Sequence, residues 1–239
     1  MKKILTMMLI MASFFNFYSC SEDKDEAPTV PSDVTLKVGE TYDLKLKTEW
    51  KSENPFVATV NNNGTITAQK VGATEIYATN NDLSSSVKVL ANYTLYRDPY
   101  TNWGASINSI TKALGTPDKN ETEDGGTTLT YTSSDSNVPL EMYMFDNNKL
   151  TSSAVLVNII FEEELIKHLQ ERYNLIETEE GAYFFINAQT ISDATTLVMA
   201  MEFMSDYWMV IYIDASSADG TMSNKKAIKS LIPELKLEL

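Results

Sequence analysis

The chain has 239 residues, 43% hydrophobic and 22% charged, with 19 Lys+Arg against 33 Asp+Glu, one histidine and one cysteine. A net charge of −14 and a pI near 4.5 leave no basic face for a phosphate backbone, which excludes nucleic acid as a partner and anionic membrane as a surface for basic attachment. One cysteine cannot form an internal disulfide, and His168 alone is too little for a zinc or copper site, so redox and histidine-dependent chemistry drop out as well.

At the N-terminus, Lys2 and Lys3 precede an apolar run from Ile4 to Phe15 that only Thr6 and Ser13 interrupt. The run is too short to span a bilayer as a stable helix and has the pattern of a secretion signal over residues 1–19. Phe17-Tyr18-Ser19-Cys20 resembles the lipobox of bacterial lipoproteins, with Phe17 and Tyr18 where that motif usually has Leu and a small residue. The resemblance implies that Cys20 is diacylated and becomes the first mature residue, so the membrane is a partner through lipid. Each buried methylene contributes about 0.8 kcal/mol, and two or three acyl chains anchor almost permanently. The acidic run Ser21 to Glu26 follows directly, and with Ser21, Glu22 and Asp23 at its head it resembles the export signal of Bacteroidetes-type surface lipoproteins. That resemblance implies an outer-membrane, cell-surface location, with residues 20–30 as a polar tether.

Residues 31–91 show short β-forming runs, among them Val34 to Val38, Thr41 to Leu46, Ala58 to Val60, Thr65 to Ala68, Thr74 to Ala78 and Ser86 to Leu90. Their period of two, with Gly39, Asn61 to Gly64 and Gly72 between them, predicts a small all-β sandwich. Asn63-Gly64 marks a hairpin, since both residues accept positive φ at little cost. The series Leu36-x-Val38-Gly39-Glu40-Thr41, Trp50-x-Ser52-x-Asn54-Pro55-x-Val57-Ala58-x-Val60, Gly64-x-Ile66-Thr67-Ala68 and Gly72-x-Thr74-x-Ile76 is similar to the group 2 bacterial immunoglobulin-like domain. The resemblance implies a spacer or adhesion module in which Trp50, Val57, Ala58 and Val60 are core.

Residues 92–239 are long enough for a separate core. Tyr93, Tyr96, Tyr100 and Trp103 cluster at the start, and Ile107, Ile110, Ala113 and Leu114 share one face of a predicted helix ended by Gly115-Thr116-Pro117. An acidic loop from Lys119 to Gly126 then leads to predicted strands over Thr127 to Thr132, Leu140 to Phe145 and Leu150 to Ile160. The order repeats as a helix over Phe161 to Tyr173 and strands over Ala182 to Asn187, Thr195 to Met204 and Tyr207 to Asp214, with a short final helix over Ala227 to Leu231. A helix and three strands, twice, predicts an internal duplication folded as one antiparallel sheet with helices on one side. The expected whole is therefore multidomain: an all-β immunoglobulin-like sandwich followed by an α+β domain. Trp103-Gly104-x-Ser106, Ile110, Leu114-Gly115-x-Pro117 and Tyr143-x-Phe145-Asp146-x-x-Lys149-Leu150 resemble the tandem repeats of β-lactamase-inhibitor-protein-like and outer-membrane-assembly lipoprotein domains. That resemblance implies protein binding through an exposed sheet face and no catalytic residues.

His168, with Glu164 and Arg172 at helical distance, makes a poor ligand set and reads as a surface or boundary residue. The acidic runs Glu162-Glu163-Glu164 and Glu177-x-Glu179-Glu180 lack a cleft that would hold paired carboxyls, and those at the helix start suit its dipole. No catalytic residue, cofactor or metal ligand is assigned. The alternation of Met199, Met201 and Phe203, and of Trp208, Val210 and Tyr212, leaves both faces of the last strands apolar. Such a sheet either has a second buried layer or offers a binding surface, for which Tyr143, Trp208 and Tyr212 are the candidates. The sequence thus leads to a non-enzymatic surface lipoprotein that binds protein or glycan, as in cell adhesion, with a periplasm-facing assembly or inhibitor factor as the alternative.

Overall fold

The computed structural model describes residues 28–80, 82–123, 125–179 and 181–217. The signal segment, Cys20 with Ser21, Glu22 and Asp23, and the helix expected over Ala227 to Leu231 lie outside the described residues. Seven strands open the chain: β1 (Asp33–Lys37), β2 (Thr41–Asp43), β3 (Trp50–Ser52), β4 (Ala58–Val60), β5 (Thr65–Ala68), β6 (Gly72–Ala78) and β7 (Ser84–Leu90). They form two sheets, ordered β1-β7-β6-β3 and β2-β5-β4, with β1 parallel to β7 and the other pairs antiparallel. The period-two sequence sends Val34, Leu36, Ile76, Val87 and Val89 inward to meet Leu44, Trp50, Val57, Ala58 and Ile66. The indole of Trp50 is buried and donates from Nε1 to the Leu46 carbonyl at 2.9 Å, which satisfies its one polar atom.

The second part is built from α1 (Ile107–Leu114), β8 (Lys119–Glu123), β9 (Gly126–Thr132), β10 (Leu140–Asp146) and β11 (Lys149–Asn158). A 3-10 turn at Ile159–Phe161 leads to α2 (Glu162–Gln170), β12 (Asn174–Glu179), β13 (Ala182–Ile186), β14 (Thr196–Phe203) and β15 (Tyr207–Asp214). All eight strands form one sheet in the order β12-β13-β14-β15-β11-β10-β9-β8. Each half is a four-strand meander, and the last strands of the two halves pair antiparallel at the centre, with Val155 opposite Val210. The repeating unit is a helix followed by four strands, where the sequence predicts three. β8 falls in the segment expected to be an acidic loop, and β12 falls where no element is expected. Both are edge strands with little burial, so their side chains carry no alternation and only the backbone ladder reveals them.

Ser106 caps α1, its Oγ accepting from the Ser109 N–H at 3.2 Å, and Gly115 at φ 93° ends the helix with its N–H donated to the Thr111 carbonyl. Asn147 and Asn148, at φ 49° and 63°, form the two-residue turn between β10 and β11. Ile110 packs on Leu129, Tyr143, Phe145 and Leu150, while Leu165 and Leu169 pack on Val155, Val157, Phe185, Val198, Trp208 and Tyr212. Tyr143 and Tyr212 both register with Ser153, which places the two helices on the same face of the sheet.

Gly64 supports the Trp50 anchor. It lies at φ +85°, and a Cβ added there would stand 2.7 Å from the Leu46 carbonyl oxygen and 3.3 Å from Trp50 Nε1. Gly39 has a similar φ of +87° with nothing within 4 Å. Gly64→Ala is therefore expected to destabilise the sandwich by about 2 kcal/mol and Gly39→Ala by about 1 kcal/mol, the first combining backbone strain with a clash. Denaturant unfolding followed by tryptophan fluorescence checks the order; equal effects would remove the indole–turn contact from the explanation.

Candidate functional site

Residues 92–103 are a docked strap and not a loose linker. Tyr96 and Trp103 join the core beneath α2, and Tyr100 and Trp103 join the core beneath α1, so the aromatic cluster of the sequence fills the space over the sheet between the two helices. Trp103 Nε1 lies 3.1 Å from the Thr195 carbonyl and 3.2 Å from Thr196 Oγ1. The Tyr96 and Tyr212 hydroxyls are 2.7 Å apart in a fully buried position, and burial drives both phenols well above their ordinary pKa, so both stay protonated.

The C-terminal end of α2 meets this strap and the first domain together. One Glu171 carboxylate oxygen accepts from the backbone N–H of Asn92 at 2.9 Å and of Tyr93 at 3.1 Å. Arg172 donates from Nε to Asp98 at 2.6 Å, from one terminal nitrogen to the His168 carbonyl at 3.0 Å and from the other to Thr94 Oγ1 at 3.4 Å. From the sandwich, the β5–β6 turn supplies Lys70 Nζ to the Gln170 carbonyl at 2.7 Å and the Val71 N–H to the Glu171 carbonyl at 2.9 Å. Carbonyls at a helix C-terminus lack intrahelical donors and carry partial negative charge, so a lysine and a backbone amide from the neighbouring domain are well matched to them.

His168 lies inside this joint, fully buried, which corrects the surface or boundary placement expected from its single charged helix neighbours. Its Nδ1 accepts from the Leu95 N–H at 3.2 Å, so the proton of the neutral ring is on Nε2, 3.5 Å from Asp98 and against the Tyr96 ring at 4.2 Å between centroids. Burial, reinforced by the Arg172 charge, lowers its pKa to about 3. The approach to Asp98 is therefore not an ion pair at neutral pH, and 3.5 Å is too long for a strong hydrogen bond.

The three residues expected to form a binding face are core. Tyr143 is 0% exposed, Trp208 1% and Tyr212 0%. Their strands place them on the face that α1, α2 and the strap cover, and alternation along the sequence could not say which face the helices take. The opposite side of the sheet carries Met199, Met209 and Ile211, each at no more than 2% exposure. What reaches the surface near Tyr143 is an open cleft of about 440 Å³ lined by Arg97, Asp98, Pro99, Tyr100, Asn102 and Leu114, among others. Tyr143 closes its floor, donating its hydroxyl to Glu141 at 3.0 Å while Glu141 also accepts from Arg97 at 2.9 Å. No signal in the sequence marks this cleft, because Arg97 and Glu141 are 44 positions apart. Among the described residues no group of three potential metal ligands occurs, and no helix is long and apolar enough to cross a membrane.

Two outcomes follow from the joint. The unfolded chain takes up a proton on His168 near pH 6.5 and the folded chain only near pH 3, so the stability from the neutral buried ring is complete above pH 6.5 and is lost as pH falls toward 3. The slope reaches about 1.4 kcal/mol per pH unit, and His168→Gln should remove one proton from it in denaturant unfolding measured between pH 7 and 3. An unchanged slope would mean that the ring is already protonated in the fold. Glu171→Ala removes the acceptor of the Asn92 and Tyr93 amides, both bonds being only part-buried, at about 0.5–1.5 kcal/mol for each hydrogen bond lost. Small-angle scattering should then show a wider spread of interdomain distances, with the separate domains unchanged.

Residues 25–90 match the model of the group 2 bacterial Ig-like domain. No curated protein matches the chain. Among solved structures, it is similar to a cysteine-rich secretory protein from Staphylococcus aureus, with 11% identity, 46% of this chain and 44% of that one covered and a TM-score of 0.28. It is also similar to an extracellular protein containing a SCP domain from Bacillus anthracis, with 10% identity, 56% of each chain covered and a TM-score of 0.25. The chain thus spans about half the length of these structures. Through its first sandwich this protein carries a bacterial immunoglobulin-like domain of group 2.

Proposed function

We propose that this is a non-enzymatic, lipid-anchored protein of a Bacteroidetes-type outer membrane. Displayed at the cell surface, it would use its immunoglobulin-like domain as a spacer carrying a duplicated α+β ligand-binding domain, related to the β-lactamase-inhibitor-protein-like repeats, to a protein or glycan. The observation that carries the reading is the joint at the end of α2. Glu171 receives two strap amides, and the sandwich turn donates from Lys70 and Val71 back to the helix, so the spacer and the distal domain are held as one arm. A fixed arm transmits position from an anchor, and ordering it once in folding removes an entropic cost from binding. The anchor itself rests on Cys20 behind its apolar run, and outward export on the acidic residues that follow. With Tyr143, Trp208 and Tyr212 buried, ligand contact passes to the cleft beside Arg97, Tyr100 and Asn102.

Protease shaving of intact cells tests the reading. The native protein should be digested, and a variant with Glu22, Asp23, Asp25 and Glu26 replaced by alanine should be protected. Protection of both until the outer membrane is opened would instead place the chain on the periplasmic side, in the role of an assembly or inhibitor factor.

A further inference from the structure

Among the described residues, the two most exposed large hydrophobic side chains are Ile160, at 73%, and Met204, at 56%. Both stand at one end of the eight-stranded sheet. Ile160 is the middle residue of the 3-10 turn that leads into α2, and Met204 opens the turn between β14 and β15. The Ile159 N–H donates to the Asp206 carbonyl at 2.8 Å, so a backbone bond ties the two turns together. Single apolar side chains in water are ordinary, but the two most exposed ones sharing one end of a domain are the mark of a contact surface.

Neither side chain is there for the fold. Met204 and Ser205 lie at φ 53° and 61°, a left-handed backbone that Gly or Asn adopts at little cost and that a long apolar residue disfavours. Ile159 and Phe161 pack on the core beneath α2, whereas Ile160 between them is turned out of it. Carboxylates flank the pair. Glu162 and Glu163 open α2, Glu202 stands two residues before Met204 and Asp206 two residues after it, and all four are exposed. The helix dipole accounts for Glu162 and Glu163 but not for Glu202 or Asp206. None of the four has an ion pair among the described residues. The Tyr183 hydroxyl donates to Glu162 at 2.7 Å, and that bond, with the Glu202 charge adding to it, holds the phenol above its ordinary pKa, so both carboxylates act on one place. The nine residues of α2, about 14 Å, separate this end from the joint with the sandwich at Gln170 and Glu171.

We infer that this end of the α+β domain is a docking surface for a basic, partly apolar segment of another protein, whose apolar side chains cover Ile160 and Met204 and whose lysines or arginines meet the acidic rim. Charge selects the occupant. A second copy of the chain would bring the same carboxylates against one another, and an anionic lipid surface would be repelled. Desolvation of the two apolar tips supplies most of the binding, while the rim sets orientation and the rate of encounter. The surface shares no residue with the cleft beside Arg97 and does not depend on an anchor at Cys20.

Fluorescence anisotropy of the full chain with a labelled amphipathic peptide of Leu and Lys, and with its Leu and Glu counterpart, tests the inference. The Lys peptide should bind and the Glu peptide should not. Ile160→Ser with Met204→Gly should weaken binding about tenfold. The same variant should unfold at an unchanged or higher temperature, since the first change removes no core contact and the second relieves a left-handed methionine. Glu202→Gln with Asp206→Asn should weaken binding about threefold and flatten its dependence on salt. Glu53→Gln with Glu75→Gln, which removes the same charge from exposed positions of the sandwich, should leave binding unchanged. Absence of binding by the Lys peptide overturns the inference, and so does equal weakening by the two charge variants, which would make the attraction one of overall charge. A lower unfolding temperature for the Ile160→Ser, Met204→Gly chain overturns it by assigning the two side chains to the fold. Self-association of the native chain that this variant abolishes overturns it in favour of a second copy, and binding to phosphatidylcholine vesicles that the variant abolishes overturns it in favour of a lipid surface.

Discussion

The arrangement of this protein depends on how the last turn of α2 is satisfied. A helix ends with carbonyls that have no intrahelical donor, and burying such an end without partners is costly. Here the partners come from elsewhere in the chain: Lys70 and Val71 from the sandwich, and the Arg172 guanidinium, which also binds Asp98 and Thr94 in the strap. The Glu171 carboxylate completes the set by accepting two strap amides. One helix terminus thereby sets the relation between two domains and the path of the segment joining them. The neutral state of His168 belongs to the same arrangement, since burial and the adjacent Arg172 charge both disfavour a second positive charge there.

The eight-stranded sheet follows a different logic. A single four-strand meander with one helix would leave one edge of its last strand unpaired, and the duplicate supplies the partner: β11 and β15 join the halves along a seam buried through its centre. The outer strands β8 and β12 are then the edges, and they have the features that discourage further pairing. β8 is short and charged, and β12 carries a bulge between Leu175 and Glu177. The strap occupies the space between the helices with Tyr96, Tyr100 and Trp103. At the margin, Arg97, Tyr100 and Asn102 line an open cleft.

Much of this was legible before the structure. The sandwich core around Trp50, the turn at Asn63-Gly64, the Gly115 stop of α1 and the existence of a repeat all rest on local rules: alternation, capping and positive φ at turns. The missed strands and the misplaced residues have a common cause. β8 and β12 lack a buried face, so the signal that alternation provides is absent from them. Tyr143, Trp208 and Tyr212 alternate as a surface row would, yet burial depends on which face the helices cover, and that choice is made by Ile110, Leu165 and Leu169 from distant parts of the chain.

Sequence by itself determined the elements whose stability is decided within a few residues, together with the acidic character of the chain and the N-terminal pattern ending at Cys20. Tertiary structure alone decided that the aromatic segment after the first domain is a strap, that His168 is buried and neutral, and that the proposed binding tyrosines and tryptophan are core. The physical reason is distance along the chain. Glu171 finds its donors 78 and 79 positions away and Lys70 reaches its carbonyl 100 positions away, and no periodicity along the sequence records a contact made over such a span.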